Sequence, residues 1–187
     1  MENYKKNLDL LTKNHVYSKE MEHDACGVGL IASTEGKKSR AIVEYGIEAL
    51  KAVWHRGAVD ADGKTGDGAG IHVEIPKDFF IEKIQVTGHD YDNSEICAGM
   101  IFLPRNDYSA QESCKTIVES ELTKNNFSIY GWRQVPVNPK VLGEKALQTM
   151  PEIIQVLFKS NDPNLLDKNL ERKIYETRKR IENKAFD

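Results

Sequence analysis

The sequence predicts an α+β domain built in layers. Two observations lead there: some segments carry apolar residues at helical spacing while others alternate or run continuously apolar, and the two kinds interleave along the chain. A third bounds the size, because 187 residues suffice for one domain with a real core.

Residues 1–25 are polar and without clear periodicity, and read as a leader or flexible arm. Cys26-Gly27-Val28-Gly29-Leu30-Ile31-Ala32-Ser33 is short and apolar, which suits a buried strand. Residues 35–38 form a turn. Residues 40–55 place Ile42, Val43, Ile47, Leu50, Val53 and Trp54 on one face of a helix, with Ser39 as N-cap. Residues 56–70 are rich in glycine and hold Asp60, Asp62 and Asp67, so they form a loop. Ile71, Val73 and Ile75 alternate with His72 and Glu74 as in a half-buried strand that stops at Pro76.

Residues 96–103 form a strand ended by Pro104. Ala110, Cys114, Ile117, Val118 and Leu122 mark a helix over 109–125. Residues 127–137 are extended and aromatic, and residues 153–158 form a further strand. A charged helix runs over 166–184, its basic residues alternating with Glu171, Glu176 and Glu182 as on a solvated face. Because this helix has no following element, the chain reads as part of something larger.

Composition excludes several classes. The chain is 40% hydrophobic and 29% charged, ordinary for a globular protein. A net charge of -3 gives no electrostatic case for nucleic acid as a partner. No apolar run is long enough to span a bilayer, and residues 8–11 are interrupted by Asp9, unlike a secretory core. The three cysteines, Cys26, Cys97 and Cys114, are far apart and suggest neither a disulfide framework nor a metal site. A reducing cytoplasm is the expected compartment.

Two places carry chemistry. Cys26 lies between Asp24-Ala25 and Gly27-Val28-Gly29, and reads either as a core cysteine opening a strand or as a nucleophile with open space beside its sulfur. If the chain were cut after Ala25, the thiol and a free α-amine would share one residue. The amine, with a pKa of about 7.7–8.0, could then act as the base. The second place is His55-Arg56-Gly57-Ala58 followed by Thr65-Gly66-Asp67-Gly68-Ala69-Gly70. It has no Gly-Lys-Ser/Thr, and its aspartates do not fit calcium-loop spacing. It reads either as a tight turn or as a ligand-side loop, with Arg56 as loop organiser or substrate-side group. Cys97, Cys114, Trp54 and Trp132 read as packing residues.

Glu22-His23-Asp24-Ala25-Cys26-Gly27-Val28-Gly29, then His55-Arg56-Gly57-Ala58, then Thr65-Gly66-Asp67-Gly68-Ala69-Gly70-Ile71 together resemble the opening of glutamate synthase large subunits. The similarity continues through Gly131-Trp132-Arg133 and Val135-Pro136-Val137 to Glu171-Arg172-Lys173-Ile174-Tyr175 and Arg178-Lys179. The Cys-Gly-Val-Gly start is shared with other class II glutamine amidotransferases, whereas Thr-Gly-Asp-Gly-Ala-Gly is specific to this branch.

The resemblance implies an N-terminal nucleophile αββα sandwich, of which this chain would supply the first half. Residues 1–25 would be a leader removed on maturation, and residues 26–187 the front of the amidotransferase domain. Cys26 would attack the glutamine carboxamide, with Arg56, Gly57, Thr65, Gly66 and Asp67 on the substrate side. The segment itself would need no cofactor or metal. The whole enzyme would use FMN, an iron-sulfur cluster and electrons from NADPH or ferredoxin to convert 2-oxoglutarate to glutamate, beside a small FAD-containing subunit. The family's glutamine-binding arginine segment, its oxyanion Asn-Gly pair and a later substrate aspartate are not found in this chain. Loss of an oxyanion donor alone costs on the order of 10²–10³-fold in rate, so the chain alone is expected to be inactive and loosely packed. The alternatives are another class II amidotransferase or a catalytically incomplete remnant domain.

Overall fold

A computed structural model describes residues 2–14 and 27–186. The chain divides into two compact units, Met1–Val59 with Gly66–Ile71, and Asp60–Thr65 with His72–Asp187.

The first unit contains helix α1, Glu2–Lys13, and helix α2, Arg40–Ala52. Helix α1 shows that residues 2–13 are not a flexible arm, while residues 15–25 lie outside the described residues. Lys, Leu and Glu are strong helix formers, and residues 2–13 contain no Gly or Pro to interrupt them. Helix α2 begins as expected, with the Ser39 hydroxyl accepting from the Ala41 N–H at 3.2 Å. It ends at Ala52 rather than His55, because Trp54–Arg56 tighten into a 3₁₀ turn closed by Gly57 N–H to Trp54 O at 3.0 Å. Trp54 is 77% exposed, so it is not the core residue its spacing implies.

The second unit holds the core. Helix α3, Lys77–Val86, is followed by strand β1, Cys97–Leu103, helix α4, Tyr108–Lys124, and strand β2, Phe127–Gln134. A short helix α5, Glu144–Thr149, precedes strand β3, Glu152–Ser160, and helix α6, Asp167–Phe186. The strands form one antiparallel sheet in the order β1-β3-β2. In β3 both faces are buried: Ile154, Gln155, Val156, Leu157 and Phe158 all lose their solvent contact.

Alternation along the strands sends side chains to opposite layers. Val156, Phe158, Cys97 and Phe127 pack with Val118 and Leu122 of α4 and Leu170 of α6. Leu157 and Tyr130 pack on the other face with Phe80 and Ile84 of α3 and with Ile96. Leu170, Ile174, Thr177 and Ile181 fall at helical spacing on the inner stripe of α6. Helix α4 is capped by Asp107, whose carboxylate accepts from the Ala110 N–H at 2.9 Å. The buried carboxylate of Glu121 on α4 receives Lys184 of α6 at 2.6 Å and Lys124 at 3.5 Å, which ties the two helices together.

The register slips between Ile129 and Gly131, leaving Tyr130 as the extra residue of a bulge. Gly131 has φ 151°, and a Cβ there would lie 2.7 Å from Thr87 Cγ2. The Thr87 hydroxyl sits 2.8 Å from Tyr130 O and 2.7 Å from Ile84 O, so the bulge is where the end of α3 leans on β2.

The layered α+β reading holds: a sheet with helices on both faces. Two expected strands do not form among the described residues. Residues 27–33 and 71–75 join no ladder, and Val28 and Leu30 are each 89% exposed. An apolar or alternating pattern suits a strand but cannot supply the hydrogen-bonded neighbour a strand requires.

Candidate functional site

Cys26 lies outside the described residues, as does the side chain of Arg56, whose backbone ends the 3₁₀ turn. What the structure describes is the loop that follows. In the first unit, Ala58 N–H donates to Asp67 Oδ2 at 2.9 Å, and Asp67 N–H donates back to Ala58 O at 3.2 Å. An isolated antiparallel bridge pairs Val59 with Gly66. Gly66 is needed there, since a Cβ would come within 2.9 Å of Ala58 O.

In the second unit, residues 60–65 form a turn closed by Asp60 N–H to Thr65 O at 2.7 Å and Gly63 N–H to Asp60 O at 2.9 Å. Gly63 occupies the left-handed region, φ 68°, that glycine adopts without strain. Asp62 organises the turn. Its Oδ1 accepts from the backbone N–H of Lys64 at 2.9 Å and of Thr65 at 2.7 Å, and its Oδ2 accepts from the Thr65 hydroxyl at 2.5 Å. The start of α5 closes on this carboxylate at Gly143, where a Cβ would lie 2.6 Å from Thr65 N. The Thr65 hydroxyl, followed by the backbone donors, holds the Asp62 carboxyl down at about 2. Asp60 Oδ2 pairs with Lys145 of α5 at 2.6 Å.

The loop expected from the glycines and aspartates is therefore a small closed hairpin. Gly57 ends the 3₁₀ turn, Thr65 closes the 60–65 turn, and Gly66 and Asp67 pair back to Val59 and Ala58. The polar groups of Thr65 and Asp67 that the structure describes are engaged within the loop itself. Sequence reasoning missed Gly143 and Lys145, which meet the turn from about eighty residues downstream; Lys145 and Asp60 are 85 positions apart. No periodicity links segments at that separation.

Cys97 is buried, and burial, with Glu95 and Glu171 nearby, pushes its thiol up to about 12. That marks an inert packing cysteine. Cys114 is half-buried on α4 and helps line an apolar cavity of about 530 Å³ between β1, α4 and α6. Among the described residues, none of Gly57, Thr65, Gly66 and Asp67 lines that cavity. Trp132 packs against the core and donates its indole N–H to Glu119 at 2.7 Å, as a structural residue does. Among the described residues, no group of three His, Cys, Asp or Glu side chains is placed to hold a metal ion.

Residues 26–187 match the family described as glutamine amidotransferases class-II. The chain belongs to the class II glutamine amidotransferases. The match begins at Cys26 and includes the whole Arg56–Gly70 loop of this amidotransferase chain. It is 52% identical over 179 residues to the glutamate synthase [NADPH] large chain of Azospirillum brasilense, covering 96% of this chain and 12% of that protein. It is 40% identical over 174 residues to the ferredoxin-dependent glutamate synthase of Pyropia yezoensis, covering 92% of this chain and 11% of the relative. Against ferredoxin-dependent glutamate synthase 1 of Arabidopsis thaliana it is 39% identical over 162 residues, 86% of this chain and 10% of the relative. The amidotransferase chain thus spans about a tenth of the length of the curated relatives it matches.

Proposed function

We propose that this chain is the front of the glutamine-hydrolysing domain of a longer glutamate synthase, and that Cys26 is its nucleophile. The observation that carries the reading is the family match starting at Cys26, joined to 52% identity with a glutamate synthase large chain across nearly the whole chain. Removal of residues 1–25 leaves Cys26 with a free α-amine. With a pKa of about 7.7–8.0, that amine is a base at neutral pH within reach of its own thiol. The thiolate attacks the glutamine carboxamide carbon, the C–N bond breaks with a proton delivered to the departing ammonia, and a γ-glutamyl thioester remains. Water then cleaves the thioester to glutamate and regenerates the thiol. The Arg56, Gly57, Thr65, Gly66 and Asp67 loop forms the substrate side of this site.

In the longer protein the ammonia aminates 2-oxoglutarate, in a cytoplasmic enzyme using FMN, an iron-sulfur cluster and a small FAD-containing subunit. The cysteines of this chain do not fit the cluster, because Cys26 is assigned to attack and Cys97 is packed in the core with its thiol pushed up to about 12; the redox groups are assigned to other parts of the longer protein. Higher identity to the NADPH type than to the ferredoxin-dependent types favours NADPH as the electron source. The test is Cys26→Ala in the full-length protein. Glutamine-dependent glutamate formation is lost and ammonia-dependent formation remains, and the mature wild-type mass begins at Cys26. Glutamine turnover surviving the substitution would refute the assignment.

A further inference from the structure

The two edges of the second unit's sheet differ. Strand β2 carries the bulge at Tyr130, with the Thr87 hydroxyl set against the Tyr130 carbonyl, a device that blunts an edge. Strand β1 is in unbroken register with β3 from Cys97↔Phe158 to Leu103↔Glu152. It holds no charged residue and no proline. Among the described residues it has no neighbour on its other side. Alternate residues of such a strand direct N–H and C=O away from the partner, so β1 presents a straight row of open donors and acceptors. Apolar surface flanks this row on both faces. On one lies the cavity of about 530 Å³ between β1, α4 and α6; on the other Met100 and Phe102 are exposed.

Chain order names the occupant. Strands β1 and β2 are each antiparallel to the β3 between them, and α4 joins them across one face of the sheet, where Val118 meets Cys97 and Phe158. Helix α6 leaves β3 and packs on that same face through Leu170. A strand following α6 and running parallel to β3 makes a crossover of the same hand as β1-α4-β2 only beside β1; beside β2 the hand would be opposite, and parallel crossovers share one hand almost without exception. We propose that the segment following α6 in the longer protein adds to β1 as a fourth, antiparallel strand, completing a split β-α-β arrangement. The strand is apolar on both faces: one set of side chains fills the cavity, and the other covers Met100 and Phe102. This rests on the reading above of the chain as the front of a longer protein, since it spans 12% of the glutamate synthase large chain it matches. A tethered segment reaches the edge at an effective concentration of about millimolar, ahead of a second copy.

Two measurements on the full-length protein test the proposal, and neither uses activity, so failure of the Cys26 assignment would show separately, as glutamine turnover surviving Cys26→Ala. In hydrogen exchange read by mass spectrometry, residues 97–103 should exchange as slowly as β3; fast exchange at alternate amides of β1, as at an open edge, overturns the fourth strand. The occupant is identified by disulfide trapping. Met100→Cys or Phe102→Cys is combined with a single cysteine scanned through the segment after Asp187, because residues directly opposite lie about 4.5–5.5 Å apart at Cα, within disulfide reach. In the antiparallel register, Phe102→Cys bridges a position two residues nearer Asp187 than Met100→Cys does. A bridge two residues farther along, a bridge between two copies of the protein, or no bridge from either position overturns the assignment of that segment to β1.

Discussion

Ile84 and Val86 lie two positions apart on α3, yet Ile84 is 0% exposed and Val86 is 78% exposed. Truncating each to alanine tests whether α3 covers the sheet as described. Ile84→Ala removes three carbons from a cluster of Phe80, Ile96, Tyr130 and Leu157. At about 0.8 kcal/mol per buried CH₂ the transfer loss is about 2.4 kcal/mol. The cavity left behind brings the expected total to about 3–4 kcal/mol, since Tyr130 and Leu157 are held by the sheet and cannot collapse into it. Val86→Ala should stay within about 0.5 kcal/mol, as surface substitutions do. Urea unfolding followed by circular dichroism reads the difference. With a slope of about 2 kcal/mol/M, Ile84→Ala lowers the midpoint by about 1.5–2 M, while Val86→Ala moves it by less than about 0.3 M. Equal shifts for the two variants, or a loss below about 1 kcal/mol for Ile84→Ala, would refute the packing of α3 on this face.

Two other predictions follow from the ionisable groups. Burial holds the Cys97 thiol at about 12, so at pH 8 its thiolate fraction is about a thousandfold below that of an ordinary cysteine; mass spectrometry of iodoacetamide-treated native protein should show Cys114 modified well before Cys97, and early labelling of Cys97 would refute its burial. Asp62, depressed from an ordinary 3.8 to about 2, contributes stability to the turn that is complete above pH 4 and lost as pH falls through 2; the Thr65 and Lys64 amide resonances should titrate with a midpoint near 2 in the native chain and not at all in Asp62→Asn, whereas a midpoint near 4 would mean the carboxylate is not held by those donors.

The elements that were legible in the sequence are those whose patterns are satisfied locally or by an unambiguous neighbour. The stripe through Val118 and Leu122 repeats at helical spacing and becomes a helix packed on the sheet, and residues 166–184, read as a charged helix, form one whose Leu170, Ile174 and Ile181 also face the core. The strands at 97–103 and 152–160 were visible as apolar runs bounded by proline or polar residues. Helix α3 was not visible, because Phe79, Phe80 and Ile81 cluster rather than recur, and Pro76 reads as the end of a strand when it stands as the N-cap of a helix. Residues 71–75 show the converse: a correct alternating pattern without a partner to pair with. At the site, the Cys26 and Thr65-Gly66-Asp67 motifs were readable only as a combination resembling a family. The junction of Asp60 with Lys145, and of Asp62 and Thr65 with Gly143, was unreadable, because nothing in either segment names the other.

That junction bears on which group does the chemistry. A loop carrying three aspartates, proposed for the substrate side, invites one of them as the base. The geometry argues otherwise. Asp67 is engaged by the Ala58 N–H and Asp60 by Lys145. Asp62 accepts from the Thr65 hydroxyl and the N–H groups of Lys64 and Thr65, which hold its carboxyl down at about 2. General-base efficiency depends on a pKa near the working pH, and a carboxylate held that low takes protons poorly at neutrality. Lowering it further by hydrogen bonds strengthens the loop and weakens the base in the same act, since both follow from stabilising the charged form. The aspartates are thus committed to holding the loop's shape. In the proposed reaction the proton of the Cys26 thiol goes to the one group whose ordinary pKa already lies near 8, the α-amine that leader removal exposes on the same residue.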